Sequence, residues 1–300
     1  MKHRPLLAPL LAWLPCAHAA DTAPITLHHD GHILSLKGPA VPGGSIEINY
    51  PEAYCRAHST DADWVQHTVI PHQQEFLSRN ASGTEIRLRD SLHEGLTVTH
   101  TITAGTDEVS FQLEAKHSGQ QRSEAHWGQA CIRLSRFCGL PPESAANATD
   151  YLPQCFLFLD GKLTRMPTRD WATTARYTPG QVWRSPAAPA TDVNPRPLHP
   201  AIPDCGLIGA FSADGKTIFA TAWEPWQELF QGVIRCLHAD FRLGGLAPGT
   251  TLGIKGKIYL LKGSPDDLLQ RYQRDFPEHR RPSPAAPPPP RAADAPPNRR

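Results

Sequence analysis

The feature that most constrains the fold of this chain is an alternation of apolar and polar residues with a period of two. It runs through residues 96–102, 109–116 and 252–260, where apolar side chains alternate mainly with Thr, Ser, Gln, Glu or Lys. This period is typical of half-buried antiparallel strands. Turn dipeptides such as Asp160-Gly161 and Pro248-Gly249 separate the strand segments. No region alternates strands with helices, so the sequence does not predict a parallel nucleotide-binding sheet.

Residues 264–280 carry the signals of one helix near the C-terminus. Ser264 can cap its first turn, Pro265 suits the first helical position, and Pro277 ends it. The apolar stripe on one helical face consists of Leu268, Leu269, Tyr272 and Phe276. The sequence therefore predicts an all-β fold, a large antiparallel β-sandwich over residues 20–263, with a C-terminal helix packed on a sheet.

The two ends of the chain differ in composition from the middle. Residues 1–19 combine a basic start, a short apolar run and a small-residue cleavage pattern, which predict a secretory signal peptide. The apolar run from Leu6 to Leu14 is too short to span a bilayer. Residues 281–300 are mostly Pro, Ala and Arg, a composition that predicts a disordered tail. We therefore expect an exported protein, periplasmic or secreted, with no membrane span.

Charge and cysteine content narrow the functional classes. The chain has 30 basic and 29 acidic residues and a formal net charge of +1, so electrostatics give no basis for binding nucleic acid. Six cysteines remain after the predicted cleavage, with irregular spacings and no Cys-x-x-Cys pair, which argues against a cysteine zinc site. Their even number allows disulfides, including a local Cys131–Cys138 pair, and buried free thiols fit equally well.

Two segments about a hundred residues apart carry groups for acid–base chemistry. The first is Glu124-Ala125-His126-Trp127-Gly128-Gln129, and the second is Ala222-Trp223-Glu224-Pro225-Trp226-Gln227. His126 offers an imidazole and Glu224 a carboxylate, each beside tryptophan. A base, an acid and aromatic faces are what a sugar-processing site needs. A carboxylate between two tryptophans is costly to bury without a purpose, which favours a functional role for Glu224.

These segments and their surroundings resemble the galactose mutarotase (aldose 1-epimerase) superfamily. Residues 96–113 are similar to the strand pair before the family's catalytic histidine, and His126-Trp127 occupies the place of that histidine and its aromatic neighbour. Glu224, with Gln227 soon after it, resembles the segment of the family's general base. The turn Leu246-Ala247-Pro248-Gly249 and the strand after it complete the similarity.

The resemblance covers roughly residues 84–263 and implies a galactose mutarotase-like supersandwich with aldose 1-epimerase-like activity. It implies that His126 protonates the ring oxygen of a sugar and that Glu224 removes the anomeric proton. Gln227 and Asp192 match positions that contact the sugar in the family. Because ring opening and closure need only these proton transfers, the resemblance implies no metal or organic cofactor, and the expected partner is a sugar or glycan.

Further candidates for sugar contacts come from the residue types alone. Indole rings stack on sugar faces, so Trp127, Trp223 and Trp226 are candidate platforms, although filling the core is the commoner role of tryptophan. Arg133 could clamp the carboxylate of a sugar acid or lie on a solvated strand edge. His126 could instead be a structural histidine at a strand end.

Three other functions are compatible with the same residues. The family's His-Gly-Gly motif, which supplies a second histidine, is absent, and this favours a non-catalytic carbohydrate-binding or accessory module on the same fold. A polysaccharide lyase-type enzyme would rely on Arg133, Arg136 and a tyrosine such as Tyr151. A structural exported β protein without a small ligand is the third alternative.

The densest histidine cluster in the sequence is His28-His29-Asp30-Gly31-His32. On a continuous strand, His28, Asp30 and His32 would share one face and could hold a metal ion. Asp30-Gly31 is a turn signal that breaks this alternation. We therefore predict a turn, and no metal site, at this cluster.

Overall fold

The computed structural model describes residues 23–58, 64–144, 147, 149–168, 182–193, 198–232 and 234–279. Within these residues the chain is mostly β-strand. In chain order, the strands and helices are β1 (Thr26–Asp30), β2 (Ile33–Lys37), β3 (Ser45–Arg56), α1 (Trp64–His67), β4 (Val69–Ile70), β5 (His72–Arg79), β6 (Glu85–Leu92), β7 (Leu96–Ala104), β8 (Glu108–His117), β9 (Ala125–Arg133), β10 (Cys155–Leu159), β11 (Lys162–Arg165), β12 (Trp183–Arg184), β13 (Leu207–Phe211), β14 (Ile218–Glu224), β15 (Trp226–Gln231), β16 (Cys236–Arg242), β17 (Thr251–Leu261) and α2 (Pro265–Asp275).

The described strands form two antiparallel sheets. The first sheet has the order β1-β2-β3-β9-β16-β15-β12, with β4 paired to β3. The second sheet has the order β11-β10-β13-β14-β17-β8-β7-β6-β5. β14 of the second sheet continues through Pro225 into β15 of the first, so the chain crosses between the sheets at this proline.

The alternating segments of the sequence are strands, as predicted. β7, β8 and β17 are neighbours in the second sheet. Asp160-Gly161 forms the tip of the β10–β11 hairpin, and Gly161 has a φ of 71°, a left-handed conformation that glycine adopts without strain. Asp30-Gly31 likewise turns β1 into β2, so the histidines around it do not line one continuous strand.

The apolar core lies between the two sheets and confirms the predicted sandwich. Inward-facing residues of the first sheet include Ile48, Ile132 and Phe241, and those of the second sheet include Val98 and Ile254. None of these five side chains is more than 3% exposed. Full burial of such a side chain stabilises the fold by about 1.5–3 kcal/mol relative to leaving it exposed.

A polar network also lies between the sheets, centred on Asp90 of β6 and His100 of β7. Asp90 Oδ2 is 2.9 Å from His100 Nε2 and accepts a hydrogen bond of 2.6 Å from the Tyr54 hydroxyl. The Tyr50 hydroxyl is 2.9 Å from His100 Nδ1, and Gln74 donates to Asp90 Oδ1 at 3.0 Å. Asp90 and His100 have no exposed side-chain surface. This network ties three strands of the second sheet, β5, β6 and β7, to β3 of the first.

The C-terminal helix packs on the outer face of the second sheet. Leu268, Tyr272 and Phe276 join strand residues such as Phe158 and Tyr259 in a second apolar cluster. The Ser264 hydroxyl accepts from the N–H of Asp267, whose carboxylate accepts in return from the N–H of Ser264, and this capping box fixes the start of the helix. The predicted C-terminal helix is therefore confirmed, with a short 3-10 turn after it at Pro277–His279.

Other predictions concern the cysteines and the termini. The cysteines from Cys55 to Cys236 are all buried thiols, and Cys131 and Cys138 do not form a disulfide. The predicted signal peptide at residues 1–19 and the predicted tail at residues 281–300 lie outside the described residues. None of the helices that the structure describes has the length and hydrophobicity needed to cross a bilayer.

Candidate functional site

The outer face of the first sheet, which points away from the second sheet, carries a row of polar side chains. On β16 the outward residues alternate with core residues and are Cys236, His238, Asp240 and Arg242. β9 lies alongside, with Trp127 opposite Arg242 and Arg133 opposite Cys236. The segments that carry Trp64 and Val69 pack on Trp127, and those that carry Val182, Val193 and Leu198 pack on Phe230 of β15. Because these segments cover the face, its polar groups are largely buried.

Asp192 is the centre of the first polar cluster on this face. Its Oδ2 lies 2.8 Å from His126 Nδ1 and 3.2 Å from Arg242 Nη1. Arg242 Nη1 also donates to Gln227 Oε1 at 2.5 Å, and the Gln227 amide donates to the backbone carbonyl of Asp192. Asp192 is only 3% exposed, so water competes little for these bonds. We call these four residues the Asp192 cluster.

His126 is the most exposed member of the Asp192 cluster, because its side chain is 24% exposed, against 16% for Arg242 and 4% for Asp192. A carboxylate at Nδ1 fixes the orientation and tautomer of an imidazole, so that Nε2 can exchange a proton with a bound molecule. Gly245 keeps the space beside Nε2 open, since a Cβ atom at this position would lie 2.7 Å from Nε2. The arrangement is that of a histidine held for proton transfer.

Glu224 lies at the end of β14, in the second sheet, and has a different partner. Its Oε2 is 2.6 Å from His279 Nε2. A cleft of about 340 Å³ opens beside Glu224, lined also by Pro186, Trp226 and His279. His126 contacts Asp192 and Glu224 contacts His279, so the structure places the two predicted catalytic residues in separate clusters.

The backbone nevertheless brings the His126 and Glu224 segments near each other. The N–H of Arg242 donates to the carbonyl of Pro225 at 2.9 Å, and Arg242 pairs in register with Trp127. Two strand spacings therefore separate Pro225 from Trp127, which is about 10 Å. The width of one sugar ring with its hydroxyl groups fits a separation of this order.

The predicted tryptophan platforms have three different environments. Trp223 lies between the sheets, in contact with Tyr50, Phe111 and Phe241, and is 2% exposed, so its predicted role in stacking on a sugar is wrong. The reason is geometric, since Trp223 and Glu224 are adjacent on a strand and point to opposite faces. Trp127 faces outward but is covered by Trp64 and Val69, and is fully buried. Trp226 lines the cleft beside Glu224.

Arg133 lies away from the Asp192 cluster. It is exposed at the far end of β9, where it lines a different cleft with Arg136, Glu143 and Arg235. Arg133 therefore lies on a solvated strand end, as in the second of the two roles considered for it. Of the predicted site residues, the structure therefore joins His126, Asp192 and Gln227 in one cluster, whereas Glu224 and Trp226 share a neighbouring cleft.

A second polar cluster on the outer face was not predicted from the sequence. His238 Nδ1 is 3.4 Å from Asp240 Oδ1, and Gln129 donates to the other oxygen of Asp240 at 3.0 Å. Burial alone would lower the pKa of His238, but Asp240 and the neighbouring Cys131 outweigh it and raise that pKa to about 10. Burial raises the pKa of Asp240, and His238 and Gln129 oppose this rise. Each of the two groups therefore favours the charged form of the other.

The sequence did contain a signal for the outward position of His238 and Asp240. Cys236, His238, Asp240 and Arg242 alternate with Leu237, Ala239 and Phe241, which is the period of a strand with one polar face. A row of four polar residues that faces away from the core indicates a surface that either has a function or is covered by another segment of the chain.

Comparisons with known proteins found similarity among solved structures only. No known protein family's sequence profile matches the chain, and no curated protein matches it. An Escherichia coli K12 protein provisionally assigned to the aldose 1-epimerases is 10% identical, with 80% of this chain and 99% of that chain covered and a TM-score of 0.40. The galactose mutarotase related enzyme of Lactobacillus acidophilus is 8% identical, with 80% and 98% covered and a TM-score of 0.33.

A third similar structure is the Slr1438 protein of Synechocystis sp. PCC 6803. It is 10% identical, with 80% of this chain and 96% of that chain covered and a TM-score of 0.42. Two of these three structures carry names from the superfamily that the sequence resembles. Identities and TM-scores this low say nothing about chemistry, which depends on the residues of this chain.

Proposed function

We propose that this chain is an exported carbohydrate-active protein that binds a sugar where the Asp192 cluster meets the cleft beside Glu224. In its most concrete form the activity is aldose 1-epimerisation. His126 is the acid, Glu224 is the base, and Asp192 and Arg242 hold the histidine in place. Trp226 is the remaining candidate for an aromatic contact with the sugar.

The observation that carries this proposal is the 2.8 Å contact between Asp192 and the partly exposed His126. A buried carboxylate that accepts from both an imidazole and a guanidinium holds its partners in one geometry. Such rigidity is characteristic of residues that act on a substrate. The sequence resemblance of both segments to the mutarotase superfamily gives further support and indicates which substrate class to test.

The proposed reaction needs one proton donor and one proton acceptor. His126 Nε2–H gives its proton to the ring oxygen as the bond between that oxygen and C1 breaks. Glu224 takes the proton of the anomeric hydroxyl, whose oxygen becomes the aldehyde carbonyl. Rotation about the bond between C1 and C2 presents the other carbonyl face, and the reverse proton transfers close the ring as the opposite anomer. The hydrogen bond from His279 orients the carboxylate of Glu224.

Substitution of Glu224 by glutamine tests the proposed base. We expect Glu224→Gln to abolish acceleration of mutarotation, because the amide cannot accept the anomeric proton, and to leave sugar binding within severalfold. The measurement is polarimetry of freshly dissolved single anomers of several aldoses, with wild type beside the variant. Activity of Glu224→Gln equal to wild type would remove Glu224 from the mechanism. A wild type that binds a sugar without accelerating its mutarotation would instead favour the accessory module.

A glycine pair tests whether the space beside His126 is used. Gly245 and Gly249 both have a positive φ, at 66° and 72°, so alanine costs about 1–2 kcal/mol of strain at either position. Only at Gly245 would the new Cβ approach His126, whereas nothing lies within 4 Å at Gly249. We expect Gly245→Ala to lower the mutarotation rate by about 10²-fold through misplacement of the reacting groups. Equal losses in Gly245→Ala and Gly249→Ala would show that backbone strain alone explains the effect.

The structure gives the lyase alternative less support. Tyr151, its candidate catalytic tyrosine, is fully buried, and its hydroxyl donates to the carbonyl of Cys236 at 3.0 Å. Arg133 and Arg136 line a cleft with three other charged residues and not with Tyr151. A catalytic tyrosine for proton abstraction has to reach the substrate, and Tyr151 is held in the interior.

A further inference from the structure

Two thiols and an imidazole meet on the outer face of the first sheet. Cys131 of β9 and Cys236 and His238 of β16 place Sγ, Sγ and an imidazole nitrogen all within 4.8 Å of one another. The Cys236 Sγ to His238 Nε2 distance is 3.6 Å. All three residues are at most 4% exposed. We call them the Cys–Cys–His cluster.

These distances fit a tetrahedral metal ion. Zinc binds sulfur at about 2.3 Å and imidazole nitrogen at about 2.0–2.1 Å, so two ligand atoms on one tetrahedral ion lie about 3.5–3.8 Å apart. The measured 3.6 Å separation of Cys236 Sγ and His238 Nε2 falls in this range. The Cys131 sulfur would have to move by no more than about one ångström to bind the same ion, because it lies within 4.8 Å of the ligand atoms of both partners. Thiolate and imidazole ligands together select soft or borderline ions such as Zn²⁺.

The surroundings of His238 orient it as a metal ligand. Asp240 lies at Nδ1, at 3.4 Å, while Nε2 faces the sulfur of Cys236. Gln129 holds the Asp240 carboxylate by a 3.0 Å hydrogen bond, and Phe230 stacks on the imidazole with ring centroids 4.2 Å apart. A metal-bound histidine commonly has a carboxylate on its other nitrogen, because this contact fixes the tautomer and ring orientation.

Glu52 and Gly232 lie on the remaining sides of the Cys–Cys–His cluster. Glu52 Oε2 is 3.8 Å from His238 Nε2, and its side chain is 34% exposed, so the fourth direction leads towards solvent. Gly232 lies over the cluster, where a Cβ atom would be 2.0 Å from Cys236 Sγ and 3.4 Å from His238 Nε2. The positive charge of a cation here would offset the nearby carboxylates of Asp240 and Glu52.

We propose that Cys131, Cys236 and His238 bind one Zn²⁺ ion, with Glu52 or a solvent molecule as the fourth ligand and Asp240 orienting His238. The sequence argued against a zinc site because it lacks a Cys-x-x-Cys pair. The ligands instead come from two neighbouring antiparallel strands, a juxtaposition that sequence spacing does not reveal. The proposal goes beyond the sugar-binding function and does not depend on it.

Zinc binding by the purified full-length chain tests the proposal. Reduced protein is loaded with Zn²⁺ alone, dialysed, and analysed for bound metal, and its affinity is measured by competition with a chromogenic chelator. We expect one zinc per wild-type chain and an affinity weakened about a hundredfold or more in Cys131→Ser and Cys236→Ser. Asp240→Asn should weaken zinc binding by about 10–100-fold, as expected for loss of an orienting partner. Cobalt substitution should give the visible absorption bands of a tetrahedral thiolate site.

Cys205→Ser is the matched control, because Cys205 is also a buried thiol but packs among the residues under the C-terminal helix. It should bind zinc as wild type does, and its folding can be compared with that of the other variants by circular dichroism. Wild type that binds zinc no better than Cys131→Ser would overturn the proposal. So would a Cys131–Cys236 disulfide in wild type that contains no zinc when it is isolated without reductant. Neither readout involves a sugar, so failure here leaves the proposed function standing.

Discussion

Replacing His126 with asparagine is expected to lower the rate of catalysed mutarotation by about 10²–10⁴-fold, the usual contribution of a general acid. Asparagine can keep a hydrogen bond to Asp192, but it cannot donate a proton to a ring oxygen near neutral pH. Binding of the sugar should change by no more than severalfold, because the rest of the Asp192 cluster remains. The measurement is the rate of anomer interconversion with saturating sugar, together with a separate binding titration.

Two further variants show whether the effect of His126→Asn belongs to the site. Asp192→Asn keeps the shape of the orienting side chain but removes its charge, so it should reduce the rate and shift the pH profile without preventing sugar binding. His32→Asn is the control, since His32 is exposed in the β1–β2 turn. A rate for His126→Asn equal to that of His32→Asn would contradict the assignment of His126 as the acid.

Replacing Asp90 with asparagine is expected to lower the free energy of unfolding by about 3–5 kcal/mol, the usual cost of removing one partner of a buried ion pair. Asp90 and His100 are fully buried between the sheets, and Asp90 also accepts from Tyr54 and Gln74. Asparagine leaves His100 without its anionic partner. The measurement is chemical denaturation of wild type and variant under the same conditions.

Glu114→Gln provides the control for this stability measurement. It makes the same change from carboxylate to amide on an exposed position of β8, in a surface ion pair of 3.6 Å with Lys116. Exposed ion pairs contribute about 0–1 kcal/mol, so this variant should unfold almost as wild type does. A loss in Asp90→Asn no larger than that in Glu114→Gln would show that the core network does not stabilise the sandwich.

The same network gives wild type a characteristic response to acid. Burial alone would raise the pKa of Asp90, but the hydrogen bonds and charge of His100 and the bond from Tyr54 outweigh it and lower that pKa below its ordinary value. A lowered folded-state pKa contributes stability above the pKa of the unfolded state, and this contribution is lost as the pH falls through the folded-state value. Asp90→Asn should therefore show a flatter loss of stability below about pH 4.

Local signals explain which parts of the fold the sequence predicted. The C-terminal helix depends on Ser264, Asp267 and Pro265, which lie within four residues of one another, so its start could be read directly. The strands β7, β8 and β17 depend on an alternation contained in each segment. Asp30-Gly31 and Asp160-Gly161 act through their own backbone preferences. All of these features are decided by neighbours along the chain.

The candidate site depends on contacts between distant parts of the chain. His126 and Asp192 are 66 residues apart, and Arg242 lies 50 residues beyond Asp192. The family resemblance suggested His126, Asp192 and Gln227 as site residues. The alternation along β16 predicts that Arg242 faces outward, but no local signal predicts its contact with Asp192. Trp223 and Glu224 are neighbours on a strand, so their side chains point to opposite faces, and Trp223 is the one that faces the core.

The most direct test of the account is whether a sugar reaches His126. The imidazole resonances of nitrogen-15-labelled protein are recorded by NMR during titration with single aldoses, and His126 is identified by its absence in His126→Asn. The account predicts that the His126 resonances shift saturably with at least one aldose, while those of His100, buried between the sheets, stay in place. A saturable sugar titration that leaves His126 unchanged, or no response to any aldose, would contradict a sugar site at the Asp192 cluster.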